Sequence, residues 1–385
     1  MISLRNVLAV NLVILVFSSP LSAQKVKVDV SACGAMFKVL NAMRNGMSLQ
    51  ITSAMLDTVL DTKPYEAMFR HYNRPYRPNY LPRHVFKKMI VSLAYEGEYS
   101  LGENRRADQM LPRWREFYRD LRLCERNLLQ LKTAVIEKLI NIGVGYAQSW
   151  LPPEWVIPDF SFYVLPCGGT TAFALAEAQG YDFFQLLRDS SGNITWEVLI
   201  AAISHESHHL GIRDSLPASM TSSDSLALSF ISLFVDEGTA TKFVDNAPGG
   251  CVPAVAESRG HTFEGELGTL WKNYTSEEPD IFKRMIESFE KTYAGRMTTE
   301  ELNTEARDFW LRGLKGRAYF VGSELFGAIY HAFGKEGSFA AMRDPRKLFA
   351  LYSKAIDKKP ELLGGCFRIP QSAVQHALAI GQSKR

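Results

Sequence analysis

The chain has 385 residues, of which 46% are hydrophobic, 22% charged and 11% aromatic, with a net charge of +3. That profile excludes disordered, collagenous and coiled-coil architectures and leaves room for a large core. The Lys and Arg residues are dispersed, and no long basic run interleaved with aromatics appears, so the expectation is no nucleic-acid partner.

Residues 1–23 combine Arg5, an apolar run from Val7 to Phe17, Pro20, and small residues at Ser22 and Ala23. This pattern predicts a secretory signal peptide cleaved after Ala23. The run is interrupted by Asn11 and falls short of the roughly 20 residues that span a bilayer, so no stable membrane association is expected after cleavage. The expected location is periplasmic or secreted. The five cysteines, Cys33, Cys124, Cys167, Cys251 and Cys366, are widely spaced and form no C-x-x-C pair. Export permits disulfides but the odd count leaves at least one cysteine over, and spacing does not choose the pairing.

From Val30 to Gln148 apolar residues recur at helical spacing, through Met36 to Leu60 and Trp114 to Ile142, with a proline-rich break between Tyr72 and Arg83. Residues 24–150 therefore read as a helical N-terminal region. His71 and His84 flank the break as ordinary surface or core residues. After Pro152, Pro153 and Pro158, the alternating run Phe160-Ser161-Phe162-Tyr163-Val164 predicts a strand, closed by the turn Pro166-Cys167-Gly168-Gly169-Thr170-Thr171. That strand is either interior or an edge that could pair with an extended peptide.

The next helix, capped by Asn193 or Thr195, runs from Trp196 to His209 and ends at Gly211. It carries His205-Glu206-Ser207-His208-His209, which holds three of the eight histidines. His205 and His209 lie one turn apart on one face and can converge on one metal ion. Glu206 beside them is poorly placed as a ligand but well placed as a general base toward water activated at the metal. His208 sits about 100° around the helix from His209. It is therefore expected to support the site or line its wall.

A following helix, capped by Ser223 or Asp224, contains the acidic pair Asp236-Glu237 in a largely apolar run. A buried carboxylate needs a partner. Either acid suits the role of third ligand, the other being a partner for a histidine's second ring nitrogen. The alternative source of a third ligand, a Gly and a His at fixed distances beyond His209, is excluded because Ile212 and Ser215 stand there. Further helices are expected over 279–293, 299–314, 316–333 and 345–357.

H-E-x-x-H followed by Glu237-Gly238-Thr239-Ala240 on the next helix resembles the gluzincin metallopeptidases, over the segment from about Asp159 to Gly334. The resemblance implies Glu237 as third ligand and Asp236 as its rival. The segment Ala318-Tyr319-Phe320-Val321-Gly322 is similar to the Y-x-x-G helix of uncharacterised bacterial zinc-dependent peptidases, which implies that Tyr319, or His331 on the same helix, donates a hydrogen bond to an oxyanion. Two departures stand out. The N-terminal part is helical rather than β-rich as in thermolysin-like enzymes, and Thr241 occupies the position of their ligand-orienting Asp.

The expected fold is mainly α (α+β): a helical N-terminal part, then a catalytic region over 151–385 with a small sheet and its edge strand, the motif-bearing helix and a helical C-terminal part. The expected function is an exported zinc metallopeptidase acting on peptides or proteins, with one Zn2+ held by His205, His209 and Glu237. Zinc-dependent cleavage of a non-peptide amide or ester, and an exported metal-containing binding protein without turnover, are the alternatives.

Overall fold

The computed structural model describes residues 25–74, 80–169, 172–187, 196–213, 220–255, 263 and 265–382. The leader expected at 1–23, the caps Asn193 and Thr195, Thr170, Thr171 and Ser215 lie outside the described residues. The chain enters through β1 (Val26–Asp29) and then runs through seven helices. These are α1 (Ser31–Arg44), α2 (Leu49–Leu60), α3 (Lys63–Tyr72), α4 (Arg83–Val91), α5 (Arg105–Arg119), α6 (Leu121–Leu128) and α7 (Thr133–Gln148). Three more strands follow, β2 (Phe160–Leu165), β3 (Ala172–Leu175) and β4 (Ala178–Asp182), and a short 3-10 turn over Phe183–Leu187. The fold is mainly helical with one small sheet.

The sheet order is β1-β2-β4-β3, with β1, β2 and β4 parallel and β3 antiparallel to β4. A parallel pair requires a long crossover, and helices α1 to α7 supply it between β1 and β2. Because β1 and β4 flank β2, the strand over 160–165 is interior. Its backbone groups face neighbours on both sides, and an incoming peptide has no free edge there. The edges belong to β1 and to β3, the latter joined to β4 by the turn Ala176-Glu177. Neither β3 nor β4 was expected, because Ala-Phe-Ala-Leu and Ala-Gln-Gly-Tyr-Asp carry few β-branched residues.

Helix α8 (Trp196–Gly211) lies against α7 and against β3 and β4. Gly143 of α7 permits the approach, since a Cβ there would sit 2.6 Å from Ile203 Cγ2. Buried Ser207, the middle residue of the motif, accepts a 2.8 Å hydrogen bond from Gln179 of β4. The motif is thereby fixed in height against the sheet.

Helix α9 (Ser222–Thr239) is capped by the Thr221 hydroxyl, which accepts from Asp224 N, two or three residues before the expected cap. It continues into a π-helical turn over Ala240–Val244. Beyond it come α10 (Gly265–Ser276), α11 (Glu278–Tyr293) and α12 (Thr299–Glu305), the last running into a second π turn at Ala306–Trp310. Helix α13 (Arg317–Arg343) breaks its geometry at Gly334, where φ is 66°, the position at which a helix end was expected. A 3-10 turn (Pro345–Lys347), α14 (Leu348–Lys358), α15 (Pro360–Leu363) and α16 (Gln371–Ala379) complete the chain.

Helices α9 and α13 cross where Gly238 meets Gly322. A Cβ on Gly238 would lie 2.4 Å from Gly322 Cα, and one on Gly322 would lie 2.3 Å from Phe234 O. The glycines of the two motifs singled out in the sequence are therefore one feature, a backbone-to-backbone contact that sets Glu237 and Tyr319 relative to each other. Cys251 and Cys366 form a disulfide that ties the loop after the π turn to the C-terminal segment, and Cys33, Cys124 and Cys167 are buried free thiols. No helix among the described residues is long and apolar enough to cross a membrane.

Gly238→Ala is expected to destabilise the protein by about 1–3 kcal/mol through overpacking of this crossing. Denaturant unfolding measures it, and an unchanged midpoint would contradict the close approach.

Candidate metal centre

His205 and His209 project from one face of α8 with ring centroids 4.7 Å apart and planes at 81°. From α9, Glu237 Oε2 faces both rings, 3.4 Å from His209 Nε2 and 3.8 Å from His205 Nε2. Two imidazole nitrogens and one carboxylate oxygen thus lie within 4.8 Å of one another. In a tetrahedral zinc site with bonds near 2.1 Å, ligand atoms stand roughly 3.4 Å apart. The donor set and the spacing both fit.

The outer ring nitrogens are held in turn. His209 Nδ1 is hydrogen-bonded to Asp236 Oδ1 at 2.7 Å, and His205 Nδ1 lies 2.9 Å from Asp245 Oδ2. Both arrangements aim the Nε2 atoms at Glu237. Asp236, the rival acid, therefore faces the back of a ring rather than the centre. Asp245 also receives Lys315 Nζ at 2.7 Å, so a cation neutralises the carboxylate that orients His205.

Sequence reasoning missed Asp245. It follows the π turn, whose extra residue breaks the helical periodicity counted from Glu237, and its own N–H bonds back to Ala240 O at 2.9 Å. Asp245 lies beside His205 Nδ1, whereas Thr241 is fully buried in that turn. π turns recur at functional sites for this reason: one added residue re-aims the next.

Opposite charges in the cluster hold one another. Burial works against charge on Glu237, yet the facing His209 and His205 hold its carboxyl well below the usual range. Burial likewise opposes protonation of the two histidines, but Asp236 and Glu237 raise His209 well above the ordinary value and Asp245 raises His205. Glu237 Oε2 is buried without a hydrogen-bond partner. A buried carboxylate oxygen left in that state is costly unless a cation completes it.

The centre opens into a groove of about 1750 Å³ that Glu206 lines. Tyr319 also lines it, its ring parallel to that of His205 at 6.4 Å between centroids and carrying Lys315 Nζ at 4.8 Å. Edge strand β3 and the Gly168-Gly169 turn border the same groove. His208 points elsewhere. It is fully buried, its Nε2 faces Trp150 O at 3.4 Å, and burial pushes it down to about 3, so it belongs to the core behind α8 and neither supports the ligands nor forms the wall. His331 faces Pro253 O at 3.1 Å and does not line the groove, which removes it as an oxyanion donor.

Among the described residues one other grouping of ligand types exists, Cys251, Glu278 and Glu324. It is already engaged: Cys251 is in the disulfide, and Glu324 accepts from Gly250 N and Val252 N at 3.0 Å each.

Residues 56–361 match the model of a family described as "Putative zinc dependent peptidase (DUF5700)". That span covers most of the chain, and the chain belongs to this family. No curated protein and no solved structure matches it.

Asp245→Asn keeps the shape of the residue but weakens its hold on His205. Zinc affinity, measured by competition with a chelator, is expected to fall about 10–100-fold, as for other partners of metal-bound histidines. Unchanged affinity would show that His205 needs no such support.

Proposed function

We propose that this member of the zinc-dependent peptidase family is an exported metallopeptidase of the gluzincin type, with His205, His209 and Glu237 holding one zinc ion and Glu206 as general base. The observation that carries the reading is the convergence of His205 Nε2, His209 Nε2 and the partnerless Glu237 Oε2 beside a groove lined by Glu206.

Zinc bound there supplies a Lewis acid that polarises the substrate carbonyl and makes water a nucleophile near neutral pH. Glu206, adjacent in sequence to His205 and open to the groove, accepts the proton of the attacking water and returns it to the departing amine nitrogen. Tyr319 lies on the same side as His205 and can donate its hydroxyl proton in a hydrogen bond to the oxygen that gains charge. Asp236 and Asp245 keep the two imidazoles in the tautomer whose lone pair faces inward.

A peptide is favoured over other amides and esters by the shape of the groove. Its border includes β3, a sheet edge, and an extended chain can pair with such an edge through its own backbone. Export rests on the expected leader at 1–23 and agrees with the Cys251–Cys366 disulfide, a bond that persists in oxidising compartments. Peptides or proteins are then the partners, with no nucleic acid and no lasting membrane association.

Glu206→Gln tests the mechanism. The variant is expected to retain stoichiometric zinc, read by elemental analysis, while turnover of a peptide library falls by about 10²–10⁴-fold. Wild-type turnover in a zinc-loaded Glu206→Gln protein would refute the role of Glu206.

A further inference from the structure

Charge is unevenly spread over the groove. Four of its acidic residues, Glu206, Asp236, Glu237 and Asp245, gather at the metal centre, with Glu266 and Asp308 elsewhere on the lining, whereas helix α5 lines a wall with Arg105, Arg106 and Arg113 and contributes no acid to it. Arg106, Gln109 and Arg113 recur at three- and four-residue spacing and so share one face of α5. Arg74 borders the same groove, its Nη2 donating to Ala174 O of the edge strand at 2.7 Å.

The anchors of Arg106 and Arg113 are neutral. The Arg106 guanidinium lies 4.4 Å over the Tyr72 ring and donates to Gln109 Oε1 at 3.4 Å. Arg113 Nη2 donates to Phe184 O at 2.8 Å, and its guanidinium lies 5.6 Å from the Phe117 ring. Among the described residues neither makes an ion pair with a carboxylate. The carboxylate whose field reaches Arg113 is Asp182, and its oxygens already accept from the backbone N–H of Cys167, Gly168 and Phe184. Both guanidinium groups are therefore held in place without a carboxylate in direct contact, and Asp182 acts on Arg113 only at a distance.

The platform under Arg106 is rigid. Tyr72 is 1% exposed, and a Cβ on Gly169 would lie 2.6 Å from its hydroxyl oxygen, so the glycine turn packs directly on the ring. An ion pair between such a wall and a ligand requires little ordering of the arginines, and their planar forks suit a carboxylate.

We propose that the α5 wall is an anion subsite of the groove, and that Arg106 and Arg113 select peptide substrates carrying a carboxylate on that side of the scissile bond. The carboxylate is either an acidic side chain or the peptide's own C-terminus. This inference rests on the peptidase reading for its substrate class, but its binding step does not need turnover.

The test uses full-length Glu206→Gln protein and fluorescein-labelled octapeptides of neutral sequence. One Glu is scanned along them with Gln at the same position as control, and each is made as free acid and as C-terminal amide. Anisotropy is expected to show Glu bound about 10–100-fold more tightly than Gln at one position, or the free acid over the amide by a similar factor, the range of one charge-assisted hydrogen-bonded pair. The first result assigns a side chain and the second the terminus. In Arg106→Gln and in Arg113→Gln that ratio should fall toward one, while Arg106→Lys should retain part of it. A melting curve on each variant separates loss of selectivity from loss of fold, and Arg113→Gln serves as the independent variant if Arg106→Gln unfolds. Equal binding of all four peptide types, or a ratio untouched by both folded Gln variants, would overturn the subsite. Cleavage by the wild type without acid preference overturns the subsite and leaves the peptidase intact. Selective binding without any wild-type cleavage retains the subsite and removes the peptidase.

Discussion

Glu237 is a carboxylate buried between two imidazoles with one oxygen that no donor satisfies, and much of the surrounding structure exists to hold it there. A carboxylate in that position is unfavourable in isolation, because burial penalises its charge more strongly than any single neighbour rewards it. The Gly238–Gly322 crossing brings α9 into backbone contact with α13 next to Glu237. Asp236 and Asp245 turn the histidines toward it, Lys315 neutralises Asp245, and Ser207 locks the motif helix to Gln179 of the sheet. Together these contacts fix the geometry of the cluster, as the preorganisation of a binding site requires.

The legible part of this site was the part governed by helical periodicity. Two histidines at i and i+4, the acid beside them and an acidic pair on an apolar helix all follow from a 3.6-residue repeat, and so do the main helices. The strand over 160–165 was legible from aromatic alternation, but its interior position was not. Which side of a strand is occupied depends on β1 and β4, one distant in sequence and the other weak in β-forming residues. Edge strand β3 was missed for the same reason. Asp245 was hidden by the π turn, which changes the residue count per turn where the reading relied on it being constant.

His208 shows the opposite error. The step of about 100° from His209 suggested a place beside the ligands or in the pocket wall. That rotation carries it into the packing behind α8, beside Trp150.

The two ends of the groove then divide the work. The metal end is acidic and suited to a dication, water and a polarised carbonyl. The α5 wall is cationic and built on neutral anchors, so it suits recognition. On the proposed reading, the cationic α5 wall would orient a peptide that carries a carboxylate relative to the metal centre.

The most direct measurement is anomalous diffraction at the zinc edge on crystals of the full-length protein grown with zinc. The account predicts a single strong peak bonded to His205 Nε2, His209 Nε2 and a Glu237 oxygen, each at about 2.0–2.2 Å. A peak that omits Glu237 in favour of Asp236, or no peak within reach of the two histidines, would contradict it.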